Sequence, residues 1–430
     1  MPVSSAIDER EGPVRATDVV DLCLASLHFY PAYAGPAVRF RRYAPGLRER
    51  GVETRVFTAS QRDDPAEVGR TAERDSAPPG VQIDRVDDIP VRRVRLSNGK
   101  STKRGWWEYQ RRLVELCGDP DTRPGVLQLL TVDPWSTWYL YRLRRMGVPT
   151  VYTHTMLTKM SSRPWKRALQ RIYWPLPYRF LDCTVVSSSV MRESLRDIGV
   201  RGRIEVIPNG TDVGQFRPAS REEKRTLRGK LGLPADDPVV LFVGSISPRK
   251  GVDILLEAWE KVGARHADAR LVLVGPRHDE IRPDEEVSDF FRWVDGALEG
   301  GGASDRVVFT GAVDRVADYY RAADVFVFPS RTEGMPNVVP EAYACGLPVV
   351  MTPFQGLPEE FGRPGKHHLL VERNAGEIAE AVSALLESPD RRLELGEAAR
   401  AWTERELALE TALNRYAALY RELAEEANHG

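Results

Sequence analysis

Two glutamates eight residues apart, Glu333 and Glu341, flank Gly334-Met335-Pro336-Asn337 within SRTEGMPNVVPEAYACGLPVV (330–350). Pro340 has no N–H and fits a helix only within its first turn. The spacing therefore predicts a helix that starts near Asn337, a natural N-cap, and ends at Gly346. Glu333 then lies on the loop leading in and Glu341 about one turn inside, with free N–H groups around Gly334 to Val339 pointing out of the helix start. Such a terminus favours an anion, typically a phosphate, and carboxylates on both sides suit the hydroxyls of a nucleotide sugar. An ordinary strand-to-helix turn with two solvated glutamates would carry the same residues.

A second feature lies in the same half of the chain. In GSISPRKGVD (244–253), Arg249 and Lys250 sit between Gly244 and Gly251, where the backbone can approach a ligand closely. Adjacent cations there suit a diphosphate, Arg by a fork of hydrogen bonds and Lys as a point charge. Lysine is scarce, nine of the 61 basic residues, which sharpens the signal. The glycine spacing is neither GxGxxG nor GxxxxGK[ST], which excludes a dehydrogenase fingerprint and a P-loop. Solvated cations are the alternative reading. Two weaker candidates lie earlier: Gly35-Pro36 in HFYPAYAGPA (28–37), at the start of a helix, and His154 at the end of a strand, where open α/β sheets place ligands. A lone histidine is also compatible with a purely structural role.

The elements that must position these residues alternate as in parallel α/β sheets. The first half has strand patterns at 19–26, 54–58, 126–131, 149–153 and 183–187, and helical patterns at 36–50, 104–117, 135–146 and 188–198. Residues 60–100 read as loop plus one short strand. The rhythm restarts with strands at 239–244, 271–275, 307–311, 324–330 and 347–352 and a helix at 254–262, for which Asp253 is a good N-cap. Two such repeats imply two doubly wound domains facing each other, spanning 1–212 (1–16 expected to be disordered) and 213–405. Pro208-Asn209-Gly210 between them reads as a turn and hinge. In the final segment 406–430, apolar residues from Leu409 to Leu423 share one helical face that must dock on something.

The 430 residues exceed one ordinary core, and 42% hydrophobic with 29% charged residues exclude disorder over most of the length. No apolar run reaches the roughly 20 residues of a membrane-spanning helix. A polar, acidic amino terminus suggests that the chain stays in the cytoplasm. Four widely spaced cysteines without a CxxC pair suggest reduced structural thiols rather than disulfides or zinc. The net charge of −1 hides a split: residues 1–212 carry 34 Lys and Arg against 25 Asp and Glu, and the remainder carries 27 against 37. Between Asp133 and Asp182 there are nine basic residues, no acidic one, and ten aromatics. The segment 159–181 mixes the two, which suits an anionic membrane surface or a lipid-linked acceptor; a polyanionic glycan acceptor and a solvated basic face over core aromatics are the alternatives. No recognised nucleic-acid-binding module is present.

From residue 18 to 425 the chain resembles the retaining glycosyltransferases of family 4. EGMPNVVPEAYACGLPVV is similar to the family's E-x7-E motif, and the G…RKG loop, VIPNGTD…F and YYRAADVFVFPS match as well. The resemblance implies an α/β GT-B fold of two facing Rossmann-like domains, with the helix at 406–425 crossing back onto the first. It implies that Arg249 and Lys250 bind the donor diphosphate. Glu333, with the backbone of Gly334, Met335, Pro336 and Asn337, would hold the transferred sugar and distal phosphate. Glu341 would bind the ribose, and backbone near Val313 the base. Gly35 would approach the diphosphate from the first domain and His154 the sugar. Two departures stand out: Ala34-Gly35, followed by Pro36, replaces the family's glycine pair, and 279–305 reads as a longer loop than is typical.

The expected activity is transfer of a sugar from a nucleotide-diphosphate donor to an acceptor hydroxyl with retention, in glycan, glycolipid or glycosylated-metabolite synthesis. No cofactor or metal is expected, because Arg249, Lys250 and the helix start would stabilise the leaving diphosphate and no compact DxD pair is present. The acceptor should sit on the first domain, with peripheral contact to the inner membrane face through 134–181 as one option. A nucleotide-sugar epimerase, a glycan phosphorylase and a non-catalytic nucleotide-sugar binder are the other readings of such a chain.

Overall fold

A computed structural model of the chain describes residues 19–30, 35–60, 81–97, 102–157, 160–277, 285–299, 302 and 304–429. The segments 1–16 and 31–34, the latter holding Ala34, lie outside the described residues, as do parts of 279–305. Two sheets organise the rest. The first comprises β1 (Val20–Ala25), β2 (Val52–Ser60), β3 (Val81–Val86), β4 (Ile89–Arg95), β5 (Val126–Leu129), β6 (Thr150–His154), β7 (Cys183–Val186) and β8 (Ile204–Val206), in the order β3-β4-β2-β1-β5-β6-β7-β8. The second comprises β9 (Val239–Val243), β10 (Arg270–Val274), β11 (Val307–Gly311), β12 (Val325–Phe328), β13 (Val349–Met351) and β14 (Leu369–Leu370), in the order β11-β10-β9-β12-β13-β14. All neighbours are parallel except β3 and β4. Central strands such as VVLFV and VFVF are buried along their whole length, as expected where helices cover both faces of a parallel sheet.

Both sheets reverse their strand order at the first strand, between β1 and β5 and between β9 and β12. Loops beyond the carboxyl ends of strands diverge at such a point and leave a crevice. The Gly35 helix follows β1, His154 ends β6, Arg249 and Lys250 follow β9, and Glu333 follows β12.

The structure corrects several expectations. Residues 81–95 form an antiparallel hairpin rather than one strand. Its two-residue turn, Asp87-Asp88, holds φ of 49° and 63°, which short polar side chains tolerate. Within 279–305 lies a helix, Glu285–Leu298, so the stretch is not simply a long loop. The helix Val252–Arg265 is capped by Gly251 rather than by Asp253. Gly251 has φ 73°, and a Cβ there would overlap the Pro329 carbonyl, so only glycine lets the β9 loop lie against the end of β12. Asp253 instead pairs with Arg331 at 2.6 Å and ties the same two loops together. The edge strands β8 and β14 and the helix Pro164–Tyr173 were not legible from pattern, being short or without a buried face.

After the helix Pro389–Trp402 and a π-type turn over Thr403–Leu407, the chain crosses back. Thr211 N–H donates to Leu407 O and Leu409 N–H to Thr211 O, both at 2.8 Å, so the linker and the crossing segment pair. Gly210 makes room for this: a Cβ there would be 2.7 Å from the Leu409 Cα. The terminal helix Leu409–His429 then buries Leu413, Tyr416, Tyr420 and Leu423 among residues of β1 and of the helix Gly35–Glu49, and Tyr420 donates its hydroxyl to buried Gln128 at 2.8 Å. The wide apolar stripe is thus a piece of the first core. All four cysteines are free and buried, and burial pushes the thiols of Cys23, Cys183 and Cys345 up to about 12, which leaves them unreactive thiols at neutral pH. Leu413 is 2% exposed. Leu413→Ala should lower stability by roughly 2–5 kcal/mol through the cavity it leaves, read as a shifted urea midpoint.

Candidate active site

The loop after β9 closes into a single 3-10 turn, Pro248–Lys250, and presents its two cations to the loop after β12. The loops are joined through the backbone: Arg331 N–H donates to Arg249 O at 2.9 Å, Gln355 N–H to Arg331 O at 3.1 Å, and Glu333 N–H to Gln355 O at 3.2 Å. The Glu333 carboxylate sits at the centre of this junction. Its Oε1 accepts from Ser330 Oγ at 2.6 Å and pairs with Lys250 Nζ at 2.8 Å and Arg249 Nη1 at 2.9 Å. Among the described residues its Oε2 carries no hydrogen bond. Glu333 and Lys250 are largely buried, whereas the Arg249 side chain is 53% exposed. Burial holds the Lys250 ammonium below the usual lysine range, opposed by the Glu333 charge. Two cations against one carboxylate leave an excess positive charge at the end of β9.

Asn337 is the N-cap of the short helix Val338–Ala344, and Gly346 follows its end at φ 70°, as the position of Pro340 predicts. Glu341 lies in the first turn and accepts from the Tyr320 hydroxyl at 3.1 Å. Burial raises its carboxyl above the usual range, moderated by Tyr320 and by the charge of Arg42 on the first domain. Met335 and Pro336 are buried, with the Met335 side chain in the second core, so these two offer backbone rather than side chain. Val313 lies in the loop between β11 and the helix Val316–Ala322, which carries Tyr320.

The first domain meets this loop directly. A Cβ on Gly334 would stand 3.1 Å from the Thr155 carbonyl and 3.3 Å from Met191 Cε, so the residue after His154 abuts the residue after Glu333. Asn209 of the linker donates to Asn337 Oδ1 at 2.8 Å and to Met335 O at 3.4 Å, and Arg39 donates to Asn209 Oδ1. Ser189, at the start of a first-domain helix, donates N–H and hydroxyl to Glu360 at 2.8 and 3.2 Å. His154 Nδ1 is 3.4 Å from the hydroxyls of both Tyr152 and Tyr178, and the ring also hydrogen-bonds the Met156 backbone. Burial lowers its pKa to about 4, so it is a neutral imidazole at pH 7. Gly35 is the first residue of its helix.

The structure therefore gathers Arg249, Lys250 and Glu333 into one cluster, sets Gly334 to Asn337 beside it and places His154 across the junction. Sequence reasoning missed Ser330, Tyr320, Asn209 and Gln355. Ser330, Tyr320 and Asn209 lie within motifs already singled out, though without a site role there, whereas Gln355 lies in none and meets Glu333 through a backbone contact 22 residues away in sequence. Among the described residues no group of His, Cys, Asp and Glu could hold a metal ion.

Neutral His154 and His368, both held at about pKa 4 chiefly by burial, give the acid limb a sign. Their folded pKa values lie below the unfolded one, so their contribution is full above about pH 6.5 and is lost as pH falls toward 4. His154→Gln should lose less stability over that interval than the unmodified chain, by on the order of 3 kcal/mol, in melts at pH 7 and 4. Glu341 has the opposite sign, because its raised carboxyl costs stability as pH climbs through the folded value. Glu341→Gln should melt higher at pH 7.

Comparison with known proteins agrees with this architecture. Residues 34–210 match a model described as glycosyl transferase 4-like domain, and residues 237–388 match glycosyl transferases group 1. The chain is similar to D-inositol 3-phosphate glycosyltransferase of Mycolicibacterium smegmatis, at 32% identity over 79% of this chain and 76% of that protein. Two further relatives, 36% and 31% identical, are matched over 45% and 58% of their length, so the chain spans about half of each. Among solved structures, sucrose-phosphate synthase from Thermosynechococcus elongatus superposes with TM-score 0.70 at 25% identity, covering 94% of this chain and 99% of that one. The Anabaena protein Alr3699/HepE in complex with UDP-glucose gives TM-score 0.68 at 18% identity, covering 94% and 100%.

Proposed function

We propose, for a chain that belongs to glycosyltransferase family 4 and has the GT-B fold, that it moves a sugar from a nucleotide diphosphate to an acceptor hydroxyl with retention and without a metal. The observation that carries this reading is the Glu333 junction. One carboxylate oxygen takes three donors and the other carries no hydrogen bond among the described residues, while the cation on Arg249 faces solvent beside it. The HepE complex with UDP-glucose supports the donor class. Epimerase and phosphorylase readings find no support in the relatives.

The donor diphosphate would lie on Arg249 and Lys250, and its ribose on Glu341. The base would meet backbone near Val313. Glu333 Oε2, with the backbone of Gly334 to Asn337, would hold hydroxyls of the sugar. Gly35 would approach the diphosphate from the first domain, and His154, kept neutral, would line the sugar side. The bond from the anomeric carbon to the phosphate oxygen breaks and its electron pair goes to the diphosphate. That added charge is what Arg249 and Lys250 stabilise. The acceptor oxygen bonds to the anomeric carbon on the vacated face and its proton passes to the departing phosphate oxygen. Glu333 acts in this reading as a ligand rather than a nucleophile, with Oε1 held by two cations and a hydroxyl and Oε2 left to accept from sugar hydroxyls.

The acceptor belongs on the first domain. The excess of cations in that half suits an anionic acceptor, and a phosphorylated polyol is named by the Mycolicibacterium relative.

Thermal-shift measurements with millimolar UDP, GDP, ADP and TDP identify the base, since a bound nucleotide stabilises the native state; no shift with any of them would refute the donor site. Lys250→Ala and Glu333→Ala should each lower kcat/KM by roughly 10²–10³, corresponding to about 2.7–4 kcal/mol, with the fold retained. Undiminished turnover would refute the assignment. Excess EDTA should leave the rate unchanged.

A further inference from the structure

We infer that the helix Pro164–Tyr173 is an anchor that lies in the surface of an anionic lipid bilayer. None of its residues is buried. Trp165, Leu169 and Ile172 nevertheless recur at helical spacing, on one face, and are 60%, 50% and 66% exposed. Lys166, Arg167 and Arg171 occupy the other side. A helix that belonged to the protein core would turn its apolar stripe inward; this one turns it out.

Its neighbours hold it in place instead. Met160 before it and Trp174 after it pack against the first-domain core. Ser161 N–H donates to Gln170 Oε1 at 2.7 Å, and the Arg167 guanidinium donates to Ser161 O at 3.1 Å and Ser162 O at 3.3 Å. The apolar face is therefore presented on a platform pinned at both ends. The surroundings extend the charge. Arg144 donates to Arg179 O at 3.0 Å, and Tyr141 and Phe180 rings lie 5.6 Å apart. These contacts bring the basic end of the helix Thr137–Arg145 beside the segment that follows the anchor. No acidic residue falls between Asp133 and Asp182.

A bilayer with acidic headgroups supplies both partners at once: hydrocarbon for Trp165, Leu169 and Ile172, and anions for the long cationic side chains that flank them. A second copy would set this positive face against itself, and like charges facing each other oppose such a dimer.

The inference goes beyond the donor site and does not depend on it, because vesicle binding is read without turnover. The test is cosedimentation of the full chain with phosphatidylcholine vesicles with and without phosphatidylglycerol. Binding should require phosphatidylglycerol and be released by high salt. L169E/I172E should weaken it about tenfold or more, and K166A about fivefold, with melting curves unchanged because these side chains are exposed. The salt titration of the unmutated chain reads the same point without any variant. No binding to anionic vesicles, equal binding by L169E/I172E, or a dimer of the unmutated chain that this double substitution splits would overturn the inference.

Discussion

The arrangement depends on one charged junction. At the carboxyl ends of two adjacent strands, β9 and β12, the loops are bound to each other by a carboxylate that has taken up a hydroxyl, an ammonium and a guanidinium on a single oxygen. Burying Glu333 and Lys250 so far from water is costly unless both are paired, and pairing them fixes the positions of both loops. The strand-order reversal between β9 and β12 is what brings these two ends together with space above them. These ion pairs leave positive charge in excess at the end of β9, which in the proposed function a diphosphate takes up.

A second constraint joins the halves. The chain passes once from the first sheet to the second through 207–211 and once back through 403–409, and the two passages pair along Thr211. Because the terminal helix completes the first core, the first half is not finished until the second has been made. Asn209 and Gly210 lie in this crossing, and Asn209 also holds the loop that carries Glu333. The position of one domain over the other is thus transmitted to the site through the polar contacts of Asn209 and through the close approach of Thr155 and Met191 to Gly334 and of Leu157 to Gly356.

Charge is distributed in keeping with these roles. The second half is acidic in total but concentrates cations at the end of β9, whereas the first half is basic and displays its cations beside exposed aromatics. A pairing of that kind on a helix with no buried residue sets the 164–173 segment apart from every other α-helix whose burial is described, each of which has at least one buried residue.

What the amino-acid sequence determined by itself was whatever is local or periodic. Apolar runs such as VVLFV and VFVF must be buried strands, Pro340 places the start of its helix, and the spacing of Glu333 and Glu341 puts one carboxylate on a loop and the other inside a turn. Two rounds of alternating elements then require two sheets, and the stripe from Leu409 to Leu423 requires a surface to cover. Periodicity could not say which surface that is, because packing partners hundreds of residues away leave no trace in it; the family resemblance implied the first domain, and the tertiary structure seats the helix there. It also decided that Gly251, not Asp253, caps its helix, since the close approach of Pro329 excludes a side chain there. It showed that Ser330 completes the Glu333 junction within its own loop, that Tyr320 holds Glu341 from a neighbouring helix, and that Thr155 of the first domain abuts Gly334. The helix 164–173 escaped pattern reading for the complementary reason: its apolar residues face outward, and periodicity by itself does not distinguish a face turned to the core from one turned to another surface.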